Sequence, residues 1–216
     1  DVSDGDPYYG GTMKIKALSG RGEYTALKVN EFLEKSHEVL KNSKANYILL
    51  RGASEFVELP KFKEKSCCIA GKELYKGIAS SIGMDVLNVL GADGTFETNI
   101  KAKIEKAINS LNEYDFVFVH LKATDSLAED GDYIRKKEFI ERADIEIGKL
   151  IDKDILVVVT GDHSTCSIKK SHCSLPIPVL VYNSKLGVDD VSSFSEKECI
   201  NGKIREIRQV ELIGKL

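Results

Sequence analysis

The chain has 216 residues, 42% of them hydrophobic and 30% charged, enough to bury one full core, or one core with a smaller lobe. Its net charge of -3 excludes a global field that would draw it to nucleic acid or to an anionic membrane, so any phosphate must be gripped locally. No apolar run approaches the roughly 20 residues needed to span a bilayer, and the N-terminus lacks the basic-then-apolar order of a secretory signal. A soluble cytoplasmic protein is expected. The five cysteines, Cys67, Cys68, Cys166, Cys173 and Cys199, are odd in number and without framework spacing, which predicts reduced thiols rather than a disulfide scaffold. Cys166 and Cys173 can be read as metal ligands, but neither forms a Cys-x-x-Cys pair, and small core or loop residues is the better reading.

From Asp1 to about Gly22 the sequence is rich in Asp, Gly and Tyr, with Asp4-Gly5-Asp6-Pro7 and Gly10-Gly11 as turn signals. Between Tyr24 and Leu40, Leu27, Val29, Phe32, Leu33, Val39 and Leu40 recur at helical spacing, and Asn46 to Leu50 reads as a short buried strand. Pro60 to Lys65 reads as a basic loop, Cys67 to Ala70 as a strand, Lys76 to Met84 as a helix closed by Gly83, and Asp85 to Leu90 as a strand. The pattern of Asn99 to Leu111 is helical, and Phe116 to Leu121 is the continuous apolar run of a central parallel strand. A helix over Tyr133 to Ile151 leads into a buried strand at Ile155 to Thr160, and Pro178 to Tyr182 reads as a third. This alternation implies an α/β fold with a doubly wound, mostly parallel sheet from about Asp85 onward. There is no internal repeat and no low-complexity tract.

In open α/β sheets, ligands bind at the carboxyl ends of strands. Two such ends are strongly polar here: Lys122, Thr124, Asp125, Glu129, Asp130 and Asp132 follow one strand, and Gly161, Asp162, His163, Ser164 and Thr165 follow another. His172 precedes the third strand. Neutral imidazole and carboxylate suit manganese, zinc or iron, and an adjacent pair such as Asp162-His163 can serve two neighbouring ions. Taken singly, each residue has an ordinary explanation: Asp125 or Asp132 can simply cap the next helix. The conjunction of Asp125, Asp162, His163 and His172 at successive strand ends is what points to a metal.

These residues carry a resemblance to the cofactor-independent phosphoglycerate mutases of the alkaline-phosphatase superfamily, in the variety common in archaea. The likeness lies in Tyr114 to His120 leading into Lys122-Ala123-Thr124-Asp125, in Asp130-Gly131-Asp132, in Thr160-Gly161-Asp162-His163-Ser164-Thr165, and in His172 before Pro176-Ile177-Pro178. Asp4-Gly5-Asp6-Pro7, Leu50-Arg51-Gly52-Ala53, Ile69-Ala70-Gly71-Lys72 and Lys76-Gly77 extend it over nearly the whole chain. The resemblance implies an alkaline-phosphatase-like α/β domain interrupted by a smaller inserted α/β lobe. Residues 1–84 would be mostly the end of that substrate-handling lobe, and 85–216 the C-terminal half of the metal-binding domain. It further implies a serine nucleophile, a phosphoserine intermediate, and interconversion of 3-phosphoglycerate and 2-phosphoglycerate. Two divalent ions are implied, with manganese favoured and magnesium or zinc admitted. Asp162 and His163 would bind the ion that activates the serine, and Asp125 and His172 the second. Arg51, Lys72, Lys76 and Lys122 would meet the substrate's phosphate and carboxylate, Arg51 by a bidentate grip. Asp4 and Asp6 would orient a hydroxyl or a water, or shape a turn.

The chain departs from the family pattern in two ways. After the first ligand the family has Asp-x-x-x-His, whereas this chain has Asp125-Ser126-Leu127-Ala128-Glu129. Glu129 then either replaces an imidazole ligand, tilting preference toward manganese or magnesium, or is a solvated loop residue. The family's N-terminal strand, with its first metal-binding Asp and its serine, has no counterpart before Asp1, so the chain is expected to be the C-terminal part of such an enzyme. Competing readings are a phosphomonoesterase on the same metal core and a non-catalytic metal-binding homologue. The expected partner is the small-molecule substrate phosphoglycerate, and neither nucleic acid nor a membrane is expected.

Overall fold

The computed structural model describes residues 1–6, 11–55 and 57–215, so the turn signals at Pro7 and Gly10 lie outside the described residues. The chain forms two compact units, Asp1–Glu58 and Leu59–Leu216. This division by contacts falls before the functional division expected between residues 84 and 85, which is a separate proposition.

In the first unit the predicted helix is present as α1 (Glu23–Leu40). Ala26 and Leu33 on its inner face bury with Ile15, and Val2, Val29, Ile48 and Leu50 pack around them. The Asn30 amide clamps the extended residue Ile15, accepting from its N–H at 3.0 Å and donating to its carbonyl at 2.8 Å. The strand expected over Asn46 to Leu50 is not formed. Its apolar side chains do reach the core, but the segment is irregular, and its carbonyl at Leu50 accepts from the Gly5 N–H at 2.7 Å.

The second unit is built on a parallel sheet of order β2-β1-β3, formed by β1 (Ser66–Ile69), β2 (Asp85–Val86) and β3 (Phe116–Val119). Its helices are α2 (Glu73–Ser81), α3 (Ile100–Ser110), α4 (Ala123–Asp130) and α5 (Tyr133–Ile147). The step from β1 to β2 runs one way through α2, and the step from β2 to β3 returns past β1 through α3. Consecutive strand residues face opposite sides. Cys68 and Phe116 therefore pack with Ala79 and Met84 on the α2 side, while Val119 joins Ile100, Ile104, Ala123, Leu127, Phe139 and Ala143 on the other. The fold is α/β, with strand order reversing between β1 and β3, and the carboxyl ends of those strands are where a ligand crevice forms in such sheets.

The remaining strands are antiparallel pairs. β4 (Val157–Val159) pairs with β7 (Leu180–Tyr182), and β5 (Ser164–Cys166) with β6 (Ser171–Cys173). Two short helices, α6 (Glu196–Cys199) and α7 (Leu212–Lys215), follow. The predicted strands at Asp85 to Leu90 and Ile155 to Thr160 shorten to β2 and β4, the residues that pair in register with a neighbouring strand. Among the described residues no helix is long and apolar enough to cross a membrane.

At the end of β1 the backbone of Gly71 lies against the 91–99 loop: a Cβ there would fall 2.0 Å from the carbonyl carbon of Asp93. The same loop is tied to β3 by Lys103 of α3, which is completely buried. Its ammonium donates to the carbonyls of Asp93 at 3.0 Å and His120 at 3.2 Å. Burial lowers the Lys103 pKa, with the Asp93 carboxylate opposing that effect. Replacing Lys103 by Met keeps the apolar stem but takes its donor from the inward-facing His120 carbonyl and leaves the Asp93 carbonyl with Thr98 Oγ1 alone, a buried acceptor left unpaired costing about 1–3 kcal/mol. Lys103→Met is expected to lower unfolding free energy by at least about 1 kcal/mol, read as a drop in the urea midpoint at constant slope.

Candidate metal centre

Three elements bring the candidate ligands together. The first is α4, which begins just past the end of β3. Ala123, Leu127 and Ala128 bury one of its sides, and Asp125 in its first turn is favoured by the positive helix terminus. Asp125 and Glu129 are one helical repeat apart and so share a face. The helix ends at Gly131, whose φ of 81° is the left-handed value that favours glycine. A Cβ at Gly131 would also meet the Lys170 side chain at 2.6 Å, so the missing side chain lets the second element, the β5–β6 hairpin, pack against the helix end. In that hairpin Thr165 pairs directly with His172. The third element is the loop after β4, which carries Asp162 and His163.

One ligand atom each from Asp125, His163 and His172 lie within 4.8 Å of one another, and the two imidazole rings are 3.9 Å apart between centroids. His172 Nε2 is 3.4 Å from Asp125 Oδ1 and 3.7 Å from Glu129 Oε1. His163 Nε2 is 3.6 Å from Asp162 Oδ2. Donors around a tetrahedral ion with bonds of about 2.0–2.2 Å lie about 3.4 Å from one another. Imidazole and carboxylate donors at these separations therefore fit a divalent cation with small side-chain rotations. Asp132, read as ligand or cap, is the cap: its carboxylate accepts from the Arg135 N–H at 3.0 Å at the start of α5.

The predicted substrate residues fall into two groups. Within the first unit, Arg51 Nη1 lies 3.5 Å from Asp6 Oδ2, and Asp4 Oδ1 accepts from the Gly52 N–H at 2.8 Å. Within the second, Lys122 pairs with Asp125, Lys76 with Glu73 at 3.0 Å, and the Lys72 side chain packs over Gly94. Cys166 and Cys173 are free thiols on the hairpin, and they line an open cleft of about 450 Å³ with His172, Lys169, Ser174 and Leu175.

Four further residues meet the centre without having been assigned from sequence. Thr165 donates to Asp125 Oδ1 at 2.6 Å and lies 3.1 Å from His163 Nδ1. Tyr75 of α2 donates to Asp162 Oδ2 at 3.3 Å and stacks on His120, ring centroids 3.5 Å apart. Gln209 donates to the carbonyls of Gly161 and Asp162 at 3.3 and 3.2 Å. Thr165 and His120 stood inside quoted motifs, at a place where a role was open; Tyr75 and Gln209 carried no signal in the sequence.

The metalloenzyme superfamily model matches residues 28–213. The chain belongs to the metalloenzyme superfamily. Membership in that superfamily, together with the three converging donors, implies divalent metal ions. Within the superfamily, the chain is 42% identical to the 2,3-bisphosphoglycerate-independent phosphoglycerate mutase 1 of Archaeoglobus fulgidus, a match that covers 99% of this chain and 58% of the relative. It is 38% identical to the mutase of Sulfurisphaera tokodaii, over 100% of this chain and 58% of that one. A solved Pyrococcus horikoshii protein superimposes with a TM-score of 0.82 at 33% identity, over 91% of this chain and 57% of its own. The cofactor-independent phosphoglycerate mutase of Thermoplasma acidophilum follows with a TM-score of 0.61 at 28% identity, over 94% and 55%. The chain thus spans a little over half the length of the relatives it matches.

Burial pushes the His120 imidazole down to about 4, with the Asp162 carboxylate acting in the opposite direction. Folded, the ring stays neutral down to that pH, whereas in the unfolded chain it takes up a proton near pH 6.5. The unfolded state therefore binds more protons between about pH 6.5 and 4, and stability falls as pH falls through that window. His120→Phe keeps an aromatic surface for Tyr75 and removes the titration. Its urea midpoint is expected to decline less steeply from pH 6.5 to 4 than that of the unaltered protein.

Proposed function

We propose that this chain supplies the metal-binding half of a phosphoglycerate mutase that interconverts 3-phosphoglycerate and 2-phosphoglycerate through a phosphoserine. The convergence of Asp125, His163 and His172, with Asp162 and Glu129 at their sides, is the observation that carries the reading. The similarity to named mutases supports it. Asp162 and His163 are assigned to one cation, and Asp125, Glu129 and His172 to a second. Donors within the first set are 3.6 Å apart and within the second 3.4 and 3.7 Å, and His163 also lies within 4.8 Å of Asp125 and His172, so the two sets adjoin. When bound, such a pair of cations lowers the pKa of an attacking hydroxyl and offsets the charge of a transferring phosphoryl group.

The chain's own residues do the binding and orienting. Asp125 and Glu129 bring two carboxylates on one helix face, a harder set than carboxylate with imidazole, which favours manganese or magnesium over zinc. Lys122 places an ammonium beside the centre, suited to the substrate's phosphate or carboxylate, and Lys72 and Lys76 in the second unit, and Arg51 in the first, are each assigned to binding substrate anion. Asp4 and Asp6 are assigned to orienting a hydroxyl near Arg51. A cytoplasmic location belongs to the same proposal.

Two measurements test it. In a coupled assay of the protein that carries this chain, chelation should abolish conversion of 3-phosphoglycerate, manganese should restore it, and Asp162→Asn should lower turnover about 100-fold or more, since such ions supply several kcal/mol. Release of inorganic phosphate in place of 2-phosphoglycerate would make the protein a phosphomonoesterase. In a calorimetric titration, Glu129→Ala should weaken one of two manganese sites and leave the other. Glu129→His should restore the weakened site and shift its preference toward zinc. A titration of Glu129→Ala indistinguishable from that of the unaltered protein would return Glu129 to the solvated surface.

A further inference from the structure

We propose that Thr165 is a positioning residue of the metal centre, whose hydroxyl ties Asp125 to His163 and holds His163 in the tautomer with hydrogen on Nδ1, leaving Nε2 free to bind the ion. The inference deepens the metal-binding reading and rests on it for the identity of the ligand, but the hydrogen assignment stands on geometry alone.

A threonine hydroxyl has one hydrogen to donate and two lone pairs with which to accept. Thr165 Oγ1 lies 2.6 Å from Asp125 Oδ1, the separation of a hydroxyl donating to an ionised carboxylate. A carboxylate paired with the Lys122 ammonium is ionised and has no hydrogen to return. The single hydrogen of Thr165 is therefore committed to Asp125. Only lone pairs remain toward His163 Nδ1, 3.1 Å away, so that nitrogen is the donor. A neutral imidazole carries one N–H, and placing it on Nδ1 leaves Nε2 with its lone pair exposed. His163 Nε2 is also the nitrogen that faces Asp162 Oδ2, at 3.6 Å. Metal-binding histidines commonly have their second nitrogen fixed by an oxygen in this way.

Thr165 is held so that its hydroxyl cannot wander. The residue is buried, at 8% exposure. Its carbonyl accepts from Lys136 Nζ of α5 at 2.9 Å, and the β5–β6 pairing sets it directly across from His172. Its branched Cβ restricts χ1 in a strand. One side chain thus touches a ligand on α4 and a ligand on the loop after β4, while its backbone is in register with the third.

The test uses the protein that carries this chain with Thr165→Val, which keeps the shape and removes the hydroxyl, and Thr165→Ser, which keeps the hydroxyl. Long-range proton–nitrogen NMR of the metal-free protein, with the His163 signals assigned from His163→Asn, should find hydrogen on Nδ1 in the unaltered protein and in Thr165→Ser. In Thr165→Val it should be shared between the two nitrogens or moved to Nε2. Manganese affinity by calorimetry should fall about 10–100-fold in Thr165→Val and stay within a few-fold in Thr165→Ser, the size of effect seen for partners behind metal ligands. Hydrogen remaining on Nδ1 in Thr165→Val would overturn the proposal. So would equal loss of affinity in the two variants, which would mark a packing role. If the unaltered protein binds no manganese, the metal reading fails, and the NMR comparison still decides what Thr165 does.

Discussion

The carboxylate of Asp125 is largely withdrawn from water, and a buried anion is tolerated only when opposite charge and hydrogen-bond donors surround it. Lys122 supplies the charge, Thr165 the donor, and His172 a third polar neighbour. These partners come from the start of α4 and from both strands of the hairpin. Much of the local architecture can be understood as meeting that demand. Gly131 lets the hairpin close on α4, Lys136 pins the strand that carries Thr165, and the buried side of α4 fixes which face Asp125 presents.

The parallel sheet provides the platform. Because strand order reverses between β1 and β3, the chain leaving β3 enters α4 beside the end of β1 rather than over a neighbouring crossover. Tyr75 from α2 reaches the same region from the opposite face of the sheet and meets Asp162. Burial first, and then the Asp162 charge and hydrogen bond, raise the Tyr75 pKa, so the phenol remains a donor at neutral pH. The centre is thus bounded by one helix from each side of the sheet and by two antiparallel connections that lie beyond it.

Much of this was legible in the sequence, for reasons that differ by element. The runs that became β1, β3 and β4 are short, continuous and largely apolar; β1 is buried on both faces, and β3 and β4 are mostly half-buried, so few polar residues blur the signal. The helices α1, α3 and α5 carry a full period of apolar positions, and Asn99 and Asp132 mark their starts. By contrast, α4 reads as a polar loop, since only one narrow side is buried and that side is mostly alanine. The β5–β6 hairpin was invisible because its three-residue strands hold Ser, Thr, Cys and His, and its turn includes Lys170 in a left-handed conformation with no glycine to announce it. For the site, Asp125, Asp162, His163 and His172 stood at strand ends in an order that a family pattern makes specific. Tyr75 lies between the quoted Lys72 and Lys76 without belonging to either motif, Gln209 is far from every motif, and only three-dimensional folding brings the two to Asp162.

The ammonium of Lys103, enclosed by backbone carbonyls, occupies the kind of oxygen-lined niche in which other proteins hold a potassium or sodium ion. Here the cation is covalently attached to α3 and arrives with the fold. The junction between β3 and the 91–99 loop is consequently bridged by a cation that the chain itself carries. Behind a centre whose donors imply divalent ions, the scaffold thus carries its own positive charge at the point where loop and strand meet.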